Sequence, residues 1–194
     1  MIVTYDFLEA AYKRYGYIFL KRPYEVNIGG IRKKNPIVNE FNDILFIAYI
    51  DAFGAKQCLC FKGSTLPGLY YLKTKMGNAK GTFIVQPGQH LNAWELSFHH
   101  IGKPNQYEAF RQIGVIKGWR DNDSDGEFDF SGPTYTDGAG VNGHHAADKE
   151  AVGAYSAGCF VVQDKEEHLV WIAPASRHKE IYGNKFHLTL FQEQ

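Results

Sequence analysis

Disulfides can contribute little to this chain, because three cysteines in 194 residues cannot form a complete set of internal bridges. That excludes a small loop-rich fold held together by cross-links. Long apolar runs are also missing. The longest, Ile44 to Ile50, falls far short of the roughly 20 residues that a membrane-crossing helix requires, so no membrane span is expected. Net charge is absent, with 21 Lys and Arg balanced by 21 Asp and Glu, and no nucleic-acid partner is expected. The first residues show no basic segment leading into an apolar core, and Asp6 and Glu9 interrupt them. No secretory signal is therefore expected, and synthesis is expected to leave the protein in the cytoplasm. No internal repeat, low-complexity tract or interdomain linker stands out, which points to one domain over residues 1–194, with 1–26 as a helical appendage.

What is present points to strands. Twenty glycines and an aromatic content of 15% suit a mainly β fold with many turns, a β-sandwich or open barrel with a short N-terminal helix and long loops around its site. Charge is uneven along the chain: residues 1–80 carry 12 basic and 6 acidic side chains, and 81–194 carry 9 and 15. A positive first part would suit an anionic polymer, while scattered charges of this kind are more commonly solvated faces.

In order, Thr4 to Tyr15 reads as an amphipathic helix, with Leu8, Ala11, Tyr12 and Tyr15 on one stripe and Gly16 as its stop. Tyr24 to Arg32 reads as a strand with Gly29-Gly30 as its flexible point. Strands at Ile44–Asp51 and Lys56–Lys62 are joined by a turn at Gly54. Cys58 and Cys60 share one face of the second, where core packing is expected. Turns are expected in Lys62–Gly68, at Met76-Gly-Asn78 and at Pro87-Gly88, and strands at Gly81–Gln86, Ala93–His100 and Val115–Arg120. Tyr107 to Gln112 suggests a helical turn, Glu166 to Trp171 a short helix or turn, and Lys185 to Phe191 a closing strand.

The chemistry concentrates later. Gly140-Val-Asn-Gly-His-His-Ala146 is followed by Tyr155-Ser-Ala-Gly-Cys-Phe160. A cysteine is a nucleophile only as thiolate, and an imidazole is the usual means of making one near neutral pH. Cys159 is the candidate nucleophile, and His144 or His145 the candidate base. Gly158 permits a tight turn whose amides can face an oxyanion, and Ser156 adds a hydroxyl. Phe160-Val-Val162 reads as a buried strand, which places the thiol at a loop-to-strand junction. The plainer alternative for Cys159 is a small packed hydrophobe. In an extended His99-His100 pair the rings point to opposite faces, so at most one is expected to share a cleft with His144.

Asp121-Asn-Asp-Ser-Asp-Gly126 resembles the first half of a calcium loop, with Asp121, Asp123 and Asp125 as ligands and Asp129 at the ninth position. Position twelve is Gly132 rather than glutamate, and a solvated acidic turn is the favoured alternative. A zinc hydrolase using His99 or His100, His144, His145 and an aspartate is a further alternative without a recognisable zinc spacing.

His144 followed by Ser156-Ala-Gly-Cys159 resembles the signature of the YkuD-type L,D-transpeptidase catalytic domain, in a divergent branch with Asn-x-His and Ser-Ala-Gly-Cys blocks found in phages and gut bacteria. Trp119-Arg-Asp121, Lys62-Gly-Ser-Thr-Leu-Pro-Gly68 and Tyr182-Gly-Asn-Lys-Phe186 extend the likeness from about Asn27 onwards. The resemblance implies a peptidoglycan stem peptide as substrate, a thioester on Cys159, His144 as base, and Ser156 and Gly158 as the motif's turn. No cofactor is implied. Hydrolysis of the thioester gives carboxypeptidase or endopeptidase activity, and aminolysis gives a cross-link. Asn142, His145, Trp119, Arg120 and Tyr155 are candidates for contacting substrate. Two departures stand out: Ala157 replaces the signature's second histidine, and Phe160, Val161 and Val162 occupy the place of its arginine or asparagine. Arg120 is a candidate replacement for that arginine, with an ordinary salt bridge as the alternative. The lack of a secretory signal favours a phage lysin or virion-associated enzyme over host maintenance. A non-catalytic wall-binding or virion structural protein on the same fold is the alternative from another class.

Overall fold

The computed structural model describes residues 2–74, 80–138 and 140–194. Its elements begin with α1 (Tyr5–Tyr15), β1 (Asn27–Arg32), β2 (Asp43–Ile50), β3 (Lys56–Ser64), α2 (Leu69–Lys73) and β4 (Thr82–Val85). They continue with β5 (Gly88–His99), β6 (Tyr107–Gln112), β7 (Gly118–Asp121), β8 (Gly143–His145), β9 (Phe160–Val162), α3 (Lys165–Tyr182) and β10 (Phe186–Gln192). Strand accounts for 34% and helix for 18%, a mainly β protein. Among the described residues no helix is long and apolar enough to cross a membrane.

Eight strands close into a barrel in the order β1-β10-β5-β6-β8-β9-β3-β2, and β4 pairs with β7 as a separate ribbon. Closure removes the sheet edges that a sandwich or open barrel would leave. The β1–β10 and β8–β9 ladders are parallel. The β2–β3 ladder follows from alternation and from the Gly54 turn, where φ is 81°. Inward side chains build one core: Ile28, Leu45, Trp94, Phe110, Phe160 and Leu188 are all fully buried, and the ribbon adds Phe83 and Val85. Helix α3 touches β2, β3, β5, β6, β8 and β9, strands on opposed walls. Its Trp171 stacks edge-on against Trp94 and Phe110, while Leu169, Val170 and Ile181 stay exposed, so α3 plugs one end of the barrel.

Helix α1 lies on the outer wall, with Tyr5, Leu8 and Tyr12 against Ile31, Phe46 and Phe191. Its ends are those expected: Thr4 caps the Phe7 amide and Gly16 takes a left-handed φ of 68°.

Several expectations need correction. Gly29 and Gly30 form no hinge; they sit inside β1, where a Cβ on Gly29 would lie 1.9 Å from the Thr189 carbonyl oxygen and one on Gly30 would lie 2.7 Å from Thr65. Tyr107–Gln112 is strand β6, held in register by β5 through pairs such as Leu96 with Phe110. The helix begun at Lys165 runs through Trp171 to Tyr182 with Pro174 inside it. Strand β3 extends to Ser64 into the expected turn, and the short helix α2 follows Gly68. The strand expected at Val115–Arg120 starts only at Gly118. Cys58 and Cys60 lie on the outer face of β3, half-buried and exposed respectively, rather than in the barrel core. The turn expected at Met76-Gly-Asn78 lies outside the described residues.

Candidate active site

Cys159 immediately precedes β9, as expected, and the turn that presents it is specified atom by atom. Buried Ser156 donates its hydroxyl to the Cys159 carbonyl (2.9 Å) and accepts the Gly158 amide (3.1 Å). Gly158 has φ of 122°, and a Cβ there would lie 2.3 Å from the Phe83 carbonyl oxygen, so no other residue fits. Ser156 and Gly158 thus shape the turn and position the thiol. The Cys159 sulfur donates to the Gly140 carbonyl (3.2 Å) and accepts the Asn142 amide (3.5 Å). Burial pushes the thiol up to about 11, against the opposing pull of the Asn142 and Ala157 amides.

His144 reaches the same face through sheet geometry. In the parallel β8–β9 ladder Gly143 lies opposite Phe160 and His144 opposite Val161. Gly143 faces inward, where a Cβ would lie 2.8 Å from the Trp171 ring. Alternation turns His144 outward, and Cys159 packs with outward Val161. Two residues along the neighbouring strand, Cys159 and His144 are diagonal neighbours about 8 Å apart at Cα by ladder spacing. His144 Nδ1 lies 3.0 Å from the His145 carbonyl. A carbonyl only accepts, so the neutral ring carries its proton on Nδ1 and leaves Nε2 as the free base, with no hydrogen bond among the described residues. The orienting group is therefore this carbonyl. Asp148, a nearby carboxylate, instead accepts the Lys165 amide at the start of α3 (2.9 Å). Burial, helped by neighbouring His99, pushes His144 down to about 3.

A pocket of about 360 Å³ opens at His144, lined by His99, His100, Asn105, Tyr107, His144, His145, Ala147, Ala154 and Tyr155, with Cys159 outside its lining. His99 stacks on His144 with centroids 4.4 Å apart, and His100 tilts against His99 at 4.1 Å. Both histidines of the pair line the pocket, against the alternation rule, because His100 leaves the strand with φ of 53°. His145 Nδ1 accepts the Ala147 amide (3.0 Å), and its ring stacks on Tyr107 at 4.0 Å. Tyr107 was not singled out from sequence; its misreading as helical hid that it faces His99 across the β5–β6 ladder. Tyr155 is exposed and lines the pocket.

Other expected residues serve elsewhere. The Asn142 side-chain oxygen accepts the Gln112 amide (3.0 Å), bracing β8 against β6, and only its main chain meets the thiol. Arg120 forms a salt bridge with Asp137 (3.1 Å), donates to the Gly81 carbonyl and lies over the Phe83 ring. Trp119 packs edge-on against Phe130. Asp121, Asp123 and Asp129 bring carboxylate oxygens within 4.8 Å of one another, the only such group of His, Cys, Asp or Glu among the described residues. Asp125 instead accepts the Glu127 amide at 2.8 Å.

Compared with known proteins, the chain matches no family model, no curated protein and no solved structure. The likeness to the YkuD-type domain rests on its motif residues.

Proposed function

We propose that this protein is a cysteine-dependent acyl-transfer enzyme acting on the peptide stem of bacterial peptidoglycan, as an L,D-transpeptidase or as an L,D-carboxypeptidase or endopeptidase. The observation that supports this reading is the parallel β8–β9 register, in which His144 lies opposite Val161, two residues from Cys159, with the His144 ring lining a pocket and the Asn142 amide donating to the sulfur. His144 Nε2 takes the thiol proton as the sulfur attacks the stem-peptide carbonyl. The Cys159 amide steadies the oxyanion, the Gly158 amide being held by the Ser156 hydroxyl. Collapse forms a thioester and expels the amine, which takes the proton from the imidazolium. Water or a second amine then releases the acyl group from sulfur. Tyr155, Tyr107 and His100 are the side chains positioned to contact the stem.

The test is turnover of stem-peptide fragments followed by mass spectrometry. Cys159→Ala is expected to abolish it with the fold intact by circular dichroism, and His144→Ala to slow it by about 10²- to 10⁴-fold. Turnover retained in Cys159→Ala would sink the mechanism. A second reading, a non-catalytic wall-binding or virion structural protein on this fold, is favoured by one observation: the thiol donates to the Gly140 carbonyl (3.2 Å), and burial pushes it up to about 11. Wild-type protein that sediments with cell-wall sacculi but leaves their peptides uncut would establish it.

A further inference from the structure

Strand β3 carries two thiols that this chemistry leaves unused. Lys56, Cys58, Cys60 and Lys62 share its outward face, while Phe61 turns into the core. Cys58 is half-buried against the α1 cluster, and Cys60 is exposed at a groove of about 710 Å³ that Val3, Phe41 and Lys62 also line. Same-face residues on a strand are about 6.6 Å apart along the chain, yet the two sulfurs approach to 3.9 Å, so the side chains lean together. With metal–sulfur bonds of about 2.3 Å, that separation corresponds to an S–metal–S angle of about 116°, the opening of a three-coordinate or tetrahedral thiolate centre. No backbone movement is required to close it.

We propose that Cys58 and Cys60 form a two-thiolate site for a soft d¹⁰ cation, with Cu(I) as its ligand. Thiolates select soft cations over hard ones, and Cu(I) accepts the low coordination numbers that two sulfurs on an open strand can supply. Each coordinated thiol loses its proton to solvent; no electron moves. The resulting centre carries one net negative charge; Lys62 lies on the same face, Lys56 is engaged by Asp6 and Glu9, and Glu40, Asp43 and Glu150 line the same groove. Exposure of Cys60 gives the metal a path of entry and leaves a further coordination position open to a small thiol.

The reduced full chain, titrated without oxygen with Cu(I) supplied as its coloured bicinchoninate complex, is expected to withdraw one Cu(I) per chain. Affinity should rise with pH as protons are released, fall at least tenfold in Cys58→Ser and in Cys60→Ser, and persist in Cys159→Ser. A measurement on the unaltered protein guards against a folding artefact. Bound Cu(I) should protect Cys58 and Cys60 together from alkylation while Cys159 labels at its metal-free rate. Failure to withdraw Cu(I) from the chelator, undiminished binding in the Cys58→Ser/Cys60→Ser double variant, or protection of Cys159 alone would each overturn the site.

Discussion

A thiol pushed up to about 11 and an imidazole pushed down to about 3 are both neutral near pH 7, so Cys159 and His144 do not rest as an ion pair. In the proposed mechanism, proton transfer would accompany attack on substrate rather than precede it. Alkylation of Cys159 in the free protein is accordingly expected to be slow at pH 7 and to climb about tenfold per pH unit with no plateau below pH 10, since only thiolate reacts. A plateau below about 8.5, the reference thiol value, would instead show a resting ion pair. The turn allows less latitude than the titration. Gly158→Ala sets a Cβ 2.3 Å from the Phe83 carbonyl oxygen in a backbone region L-residues avoid, and is expected to cost roughly 1–3 kcal/mol in urea unfolding. Asp121 presents the opposite case. Burial, and then the charges of Asp129, Asp123 and Asp125, raise its carboxyl to about 6. Because the folded value lies above the unfolded 3.8, the favourable contribution of Asp121 is fully present only below pH 3.8 and is lost as pH rises through 6. Asp121→Asn should therefore stabilise the protein by roughly 1–3 kcal/mol at pH 7 and by nothing at pH 3.5, read from urea midpoints.

At the scale of elements, the site is as firm as what lies beneath β8. Trp171 of α3 fills the space under Gly143, stacks against Trp94 and Phe110, and donates its indole N–H to the Phe46 carbonyl (3.2 Å). Trp171→Ala is expected to cost about 3–5 kcal/mol and, by loosening β8, to speed Cys159 alkylation; unchanged alkylation in a stably folded variant would uncouple α3 from the site. That helix was largely hidden in the sequence. Its inward stripe is His168, Trp171, Ile172, Ala175 and His178, helical in spacing, but two of its five members are histidine and Pro174 interrupts it. Tyr107–Gln112 misled for a related reason: Ala109 and Phe110 are both buried in β6, so alternation is broken, and pairing with distant β5 decides the conformation. Where local signals sufficed they were legible. Thr4 and Gly16 bound α1, Gly54 joins β2 to β3, and the glycine and serine before Cys159 announce the loop-to-strand junction. The three residues of β8 carry no pattern of their own, and the partnership of His99 with His144 depends on ladder order around the barrel.

At the scale of the whole molecule, the barrel and its plug keep imidazoles from water. Burial lowers His99 to about 4, and His144 and His168 to about 3. His168 is fully buried without a well-formed hydrogen bond at either ring nitrogen, the Gly143 carbonyl offering only a weak one, and His145 lies edge-on 5.2 Å away. The unfolded chain takes up these protons near 6.5, whereas the folded chain refuses them until about 4 or 3. The folded values are depressed, so stability is full above 6.5 and is lost as pH falls toward the folded values, where further loss from these groups stops. Each such imidazole steepens the fall by about 1.4 kcal/mol per pH unit. Urea midpoints measured from pH 8 to pH 4 should therefore be level above neutrality and drop steeply below about 6. His168→Leu removes one proton from that uptake without touching the Cys159 turn. It should flatten the slope between pH 6 and 4 by about 1.4 kcal/mol per unit, and a slope equal to that of the unaltered protein would mean that His168 takes up its proton in the folded barrel.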